Sequence, residues 1–139
     1  MIPHIRFALI LLLPLLLLAA CQSSSQLKAF TTDGCSSFPN GTLSHKELWL
    51  ECCTEHDRAY WLGGTYSQRR DADKQLRECV AQVGEPAIAN LMLGGVRVGG
   101  TPILPTRFRW GYGWDYPRWY GPLSEAEGRL IKNTIQEEQ

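Results

Sequence analysis

The 139-residue sequence has no excess charge of either sign, with 14 Lys and Arg against 14 Asp and Glu. Proteins that grip nucleic acid usually carry a basic field, so the balance argues for no nucleic-acid partner. No apolar run reaches 18 residues, which argues against a membrane-spanning helix. No segment repeats another. Hydrophobic residues make up 44% of the chain, an ordinary globular content that speaks against global disorder. The length suits one domain. With three His and five Cys, the residues able to carry chemistry are scarce enough to weigh singly.

The N-terminus reads as a targeting segment. Met1–Ile5 and Arg6 precede an almost wholly apolar Phe7–Ala20 that ends in small residues. That is the form of a secretory signal peptide, expected over 1–20. Its 14 residues would span only ~21 Å as a helix, short of a ~30 Å hydrocarbon core. Leu18-Ala19-Ala20-Cys21 further resembles a bacterial lipobox, in which Cys21 is acylated and becomes the mature N-terminus. Two or three acyl chains would hold the protein firmly on a membrane. By analogy with enterobacterial sorting, Gln22 carries no inner-membrane retention signal, so the outer membrane is favoured. Residues 21–29 read as a polar Ser/Gln tether, and 30–139 as the domain. Removing the signal leaves 13 basic against 14 acidic residues, a net −1.

With Cys21 lipidated, Cys35, Cys52, Cys53 and Cys79 remain. An even count in a short exported chain reads as two disulfides. Adjacent cysteines rarely pair with each other, which leaves 35–53 with 52–79, or 35–52 with 53–79. A zinc site at Cys52, Cys53, His56 and Cys79 is the weaker alternative, because adjacent Cys are poorly placed on one ion.

The chain otherwise reads as mainly α. Residues 30–40 form a loop. Ser44-His45-Lys46-Glu47 has the form of a capping box, so a first helix is expected over 46–62, stopped by Gly63-Gly64. Ser67 is the expected cap of a second helix over 68–83, with Ala72, Leu76, Cys79, Val80 and Val83 as its apolar stripe. The short turn between them makes the two helices antiparallel neighbours. Residues 87–98 suggest a weaker apolar helix broken by Gly94-Gly95 and Gly99-Gly100. In 108–120, seven of thirteen residues are aromatic. Phe108, Trp110, Tyr112, Trp114 and Tyr116 alternate at period 2, an extended or strand signal. A terminal amphipathic helix is expected over 123–139, with Ser124 at its start.

Two His lie beyond the signal. His45 reads as a surface residue. His56 lies mid-helix in Cys52-Cys53-Thr54-Glu55-His56-Asp57-Arg58-Ala59-Tyr60, where 52, 56 and 60 share one face. If Cys52 bonds Cys79, four residues on from Cys52 is His56, and six back from Cys79 is Asp73. A carboxylate then lies near the imidazole, with the Tyr60 hydroxyl close by. A His oriented by a buried Asp is a general base. No Ser or Cys is placed as a nucleophile, so the base would activate water directly. If Cys35 pairs with Cys53, the loop at Asp33-Gly34-Cys35-Ser36 lies beside Asp57. Its carbonyls and carboxylates make a hard oxygen site suited to Ca²⁺. The alternative is a disulfide-pinned helical hairpin whose His56–Asp73 pair is structural.

Cys52-Cys53-x-x-His56-Asp57-x-x-Tyr60, with Asp73 six residues before Cys79, resembles the active-site helices of the secreted phospholipases A2. Asp33-Gly34-Cys35-Ser36-Ser37-Phe38-Pro39 is similar to the calcium loop of that superfamily's bacterial and fungal branch. The resemblance covers 33–79. It implies calcium-dependent hydrolysis of phospholipid acyl esters by a monomer acting at a phospholipid membrane. His56 would deprotonate water, Asp73 would fix its tautomer, and Tyr60 would hydrogen-bond Asp73. Asp57, carbonyls around Gly34 and Ser36, and Asp33 would bind Ca²⁺. The implied disulfides are Cys35–Cys53 and Cys52–Cys79. The chain departs from the animal members in Ser36, Ser37 and Phe38, where they are Gly-rich, and in Ala59 and Ala72, where they carry Cys. Nothing in 84–139 aligns. The aromatic segment 108–120 could seat on a bilayer or pack over the helices; packing is the favoured expectation. A non-catalytic envelope lipoprotein that binds lipid on the same fold is the competing reading.

Overall fold

The computed structural model describes residues 26–138. The signal peptide and Cys21 lie outside the described residues. Four helices make up the regular structure: α1 (Leu50–Leu62), α2 (Tyr66–Gln82), α3 (Pro86–Gly99) and α4 (Glu125–Glu137). Among the described residues there is no strand, and no helix is long and apolar enough to cross a membrane. The disulfides are Cys35–Cys53 and Cys52–Cys79.

α1 begins at Leu50 rather than at Lys46, and Ser44 caps nothing. The cause is Trp49, which is buried. Its indole Nε1 donates to the Pro39 carbonyl at 2.6 Å, and its backbone N–H donates to Asn40. These bonds hold 42–49 as successive turns, including Thr42 N–H to the His45 carbonyl. Burial of one large ring outweighs a cap that contributes about 1 kcal/mol.

α2 starts earlier than expected. Thr65, not Ser67, is its N-cap: Thr65 Oγ1 accepts from Gln68 N–H, and Gln68 Oε1 accepts from Thr65 N–H. That reciprocal box satisfies two otherwise orphaned donors. The stripe Ala72, Leu76 and Val80 is buried as expected, while Val83 at its end is exposed. Disulfide Cys52–Cys79 and the pairs His56–Asp73 and Tyr60–Arg69 join α1 to α2, residue numbers falling in α2 as they rise in α1.

α3 runs unbroken through Gly94-Gly95. Each glycine costs a helix interior about 1 kcal/mol, yet packing can override that. Ala89 and Met92 are buried in the cluster of Trp49, Leu76, Val80 and the α1 cysteines. At the far end Arg69 Nη2 donates to the carbonyls of Val96 and Arg97, at 2.8 and 2.9 Å. A cation on the last carbonyls suits a helix C-terminus.

The expected strand at 108–116 is instead a series of turns. Its period-2 aromatics belong to Trp110-Gly111-Tyr112-Gly113-Trp114, which closes the C-terminus of α1. The last four carbonyls of a helix have no partner within it. Here Gly63 N–H takes Ala59, Gly111 N–H takes Tyr60, Gly113 N–H takes Trp61, and Trp114 Nε1 takes Leu62. Trp110 Nε1 donates to Gly64. Gly111 has φ +74°, and a Cβ on Gly113 would collide with the Trp61 indole. Trp110 and Trp114 are buried, whereas Tyr116 and Trp119 are exposed.

α4 follows its expected cap, with Ser124 and Glu127 in a reciprocal box. Arg118 Nη1 holds Glu127 Oε1 at 2.6 Å. Hydrogen bonds from Arg118 and Ser124 keep the Glu127 carboxyl below its usual range despite burial. Ile131 and Ile135 pack on the cluster of Leu27, Trp61 and Trp114. Residues 26–29, the end of the expected tether, lie against this cluster. Leu27 is buried, Lys28 N–H donates to Gly113, and Trp61 Nε1 donates to the Lys28 carbonyl.

Candidate active site

His56 is buried on α1 with its Nε2 3.0 Å from Asp73 Oδ1 on α2. Asp73 is fully buried. A carboxylate in that setting needs several polar partners. Tyr60 Oη donates to the same Oδ1 at 2.6 Å. Arg97 Nε, from α3, lies 2.8 Å from Oδ2. Burial, then the Asp73 charge, push the Tyr60 phenol well above its ordinary range, so it stays a donor. If Nε2 carries the proton donated to Asp73, Nδ1 is the basic nitrogen. Nδ1 has no partner among the described residues, and His56 lines a cavity of about 500 Å³.

That cavity brings the loop and the helices together. Gly34, Cys35, Ser36, Ser37 and Phe38 line one part, Cys53, His56, Asp57 and Tyr60 another, and Leu91, Met92, Gly95, Val96, Gly99 and Phe108 much of the remainder. Its lining is largely apolar, with polar groups at Ser36, Ser37, His56, Asp57 and Tyr60, the pattern of a site that orients an apolar ligand by a few polar groups. Cys35–Cys53 joins the loop to α1 one helical turn before Asp57. Gly34 and Ser36 both have left-handed backbones, with φ of +72° and +57°. Asn40 Oδ1 accepts from Cys35 N–H, fixing the turn from across the loop.

Asp57 is buried beside this loop and accepts from Thr32 Oγ1 at 2.6 Å. Burial pushes its carboxyl up to about 6 from an ordinary 3.8, against the pull of the Thr32 hydroxyl; the Asp33 charge adds to the rise. A buried carboxylate raised in this way, with the Asp33 carboxylate beside it, fits a hard divalent cation. Among the described residues no three His, Cys, Asp or Glu side chains cluster for a metal. A Ca²⁺ here would therefore draw on loop carbonyls as well. Asp33 is partly committed elsewhere: Ser36 Oγ donates to its Oδ1 at 2.9 Å, and Arg107 Nη2 lies 3.8 Å from Oδ2. His45 is exposed, in keeping with its reading as a surface residue.

Two arginines at the site were missed in the sequence. Arg69 donates from Nε to Tyr60 Oη at 3.0 Å and from Nη1 to Tyr120 Oη at 2.7 Å. It lies four residues before Asp73 on α2, so helical spacing could have flagged it. Arg97 is the sole charged residue of α3, whose sequence is otherwise apolar or small apart from Asn90. A lone cation in such a helix was its available signal.

Searches against protein-family profiles, curated proteins and solved structures find no match to this chain. Fold and site define the class of protein directly: a mainly helical, doubly disulfide-bonded chain with a buried His–Asp–Tyr cluster opening on an apolar cavity.

Proposed function

We propose that the protein is a calcium-dependent phospholipid acyl hydrolase of the phospholipase A2 type, carried on an antiparallel pair of disulfide-linked helices. We place it as a lipid-anchored monomer in the bacterial envelope, the outer membrane favoured. The observation that carries the reading is the 3.0 Å contact of His56 Nε2 with buried Asp73, with His56 set beside Asp57 in an apolar cavity.

In this reading His56 Nδ1 takes a proton from a water held at the cavity. The oxygen adds to the carbonyl carbon of an acyl ester. The acyl C–O bond then breaks, and the His56 proton passes to the departing alkoxide. The products are a fatty acid and a lysophospholipid. Asp73, oriented by Tyr60, holds the imidazole in one tautomer and stabilises the imidazolium. Asp57, with the carbonyls of Gly34 and Ser36 and with Asp33, would hold Ca²⁺, which when bound supplies positive charge to the ester oxyanion and the lipid phosphate. Leu91, Met92, Val96 and Phe108 offer apolar surface to an acyl chain.

The test is fatty-acid release from mixed phospholipid vesicles with Ca²⁺, with chelator, and with His56→Gln. Release that needs both Ca²⁺ and His56 is expected. Release that survives chelation removes the calcium role. No release across several lipids by the folded, oxidised protein turns the reading to the competing one, a non-catalytic lipid-binding lipoprotein. One contact favours that second reading: Thr32 already occupies Asp57 Oδ2.

A further inference from the structure

Asp73 has its two oxygens held from different helices. Oδ1 receives His56 Nε2 and Tyr60 Oη from α1, and Oδ2 faces Arg97 Nε of α3 at 2.8 Å. The Arg97 N–H is not aimed at Oδ2, so the contact is an ion pair rather than an aligned hydrogen bond. Arg97 Nη2 donates to the Arg70 carbonyl at 3.1 Å, while Nη1 is buried without a partner. A second arginine closes a circuit. Arg69 donates to Tyr60 Oη, and its Nη2 holds the backbone carbonyl of Arg97. Asp73, Tyr60, Arg69 and Arg97 thus form a ring of contacts that ties the last turn of α3 to the His–Asp pair.

We propose that Arg97 is a positioning residue for His56. By holding Oδ2 it fixes the plane of the Asp73 carboxylate, which keeps Oδ1 as the acceptor for His56 Nε2. Arg97 does not line the cavity, and the contact it shares with His56 is the Asp73 carboxylate, so its direct effect on the imidazole passes through Asp73. The same helix lines the cavity through Leu91, Met92, Gly95, Val96 and Gly99. The cavity wall and the orientation of the base therefore share one element. A carboxylate held at one oxygen only is free to swing about its Cβ–Cγ bond, and small misplacements of a catalytic group are costly.

The proposal rests on the hydrolase reading for its kinetic consequence but not for its structural one, so two readouts are needed. Full-length, oxidised, ¹⁵N-labelled protein in detergent micelles is compared as wild type, Arg97→Gln and Arg97→Lys. NMR follows the His56 Nε2–H resonance and its exchange with water; vesicle hydrolysis in Ca²⁺ follows kcat and KM. The expected result is a protected His56 resonance in wild type, loss of that protection in Arg97→Gln, and an intermediate state in Arg97→Lys. In the same order kcat falls, by about 10- to 100-fold for Arg97→Gln, with KM within about twofold. An unchanged His56 resonance in folded Arg97→Gln overturns the proposal, as does a loss that appears only in KM. Should Arg97→Gln fail to fold, the difference between Arg97→Lys and wild type decides in the same way, and identical resonances overturn the proposal. If the wild type itself releases no fatty acid, the hydrolase reading fails, and the resonance still decides the role of Arg97.

Discussion

Tyr60 Oη and Asp73 Oδ1 lie 2.6 Å apart in the interior of the protein, the shortest link between α1 and the carboxylate that meets His56. The phenol also accepts from Arg69 Nε, so it stands between a buried anion and a buried cation. Removing the hydroxyl leaves Arg69 Nε without its partner and takes from Asp73 Oδ1 one of its two donors, His56 Nε2 being the other.

Tyr60→Phe is therefore expected to destabilise the protein by about 1–3 kcal/mol, the cost of unsatisfied buried partners. The ring's edge-on packing against Trp110, at 5.0 Å between centroids, is retained. Urea unfolding measures the loss. A change below ~0.3 kcal/mol would show that the hydroxyl contributes little.

Asp57 gives a pH dependence with a definite sign. Its folded-state value of about 6 exceeds the ordinary 3.8, so the folded protein binds this proton more tightly than the unfolded chain. Stability from this group is present at low pH and declines as pH rises through roughly 4 to 6. In chelator, the difference between wild type and Asp57→Asn should shift against wild type across that window. At pH 7, Ca²⁺ should raise the unfolding midpoint of wild type and leave Asp57→Asn where it was. Urea midpoints at pH 4 and pH 7, with and without Ca²⁺, check both.

The two disulfides should separate by function. Cys52–Cys79 closes 27 residues of sequence, and Cys35–Cys53 closes 18. Loop-closure entropy gives each about 3–4 kcal/mol. Replacing both partners of either pair by Ser should thus destabilise to a similar degree. Only the loss of Cys35–Cys53 should weaken the response to Ca²⁺ beyond what the lost stability explains. Calcium titration by calorimetry at a temperature where both variants remain folded separates the effects.

Gly113→Ala tests the aromatic segment. The added Cβ meets the Trp61 indole and its carbonyl, neither of which has room to move. Overpacking of this kind costs about 1–3 kcal/mol. Gly94→Ala, where a Cβ meets open space, should instead be neutral or stabilising, since alanine is the better helix former. Thermal melts of the two variants should move apart.

The parts legible in the sequence are those fixed by local spacing. His56 and Asp73 could be brought together by counting from a disulfide, because an α-helix turns by a constant angle. Ser124 starts α4 as expected, because its box with Glu127 lies within a single turn. Where a long-range contact competes, local reading fails. Trp49 buries itself and unmakes the Ser44 cap. Arg69 and the α2 packing carry α3 across two glycines. Trp110 and Trp114 alternate as in a strand, yet their partners are carbonyls some fifty residues back, Gly64 just past α1 and Leu62 at its end. Arg97 could not be assigned to Asp73 from sequence because α3 had no register with α2 to count from.

The closure of α1 by Trp110–Trp114 also bears on how small a working unit could be made. A fragment of α1 and α2 alone would hold the whole Cys-Cys-x-x-His-Asp-x-x-Tyr motif and its partner Asp73. It would also leave three of the last four carbonyls of α1 without their donors, and Trp61 without its cover. The motif is thus not portable as a hairpin. Its stability is lent by a segment translated well after it, and a nascent chain must wait for residue 114 before the helix that bears His56 is finished.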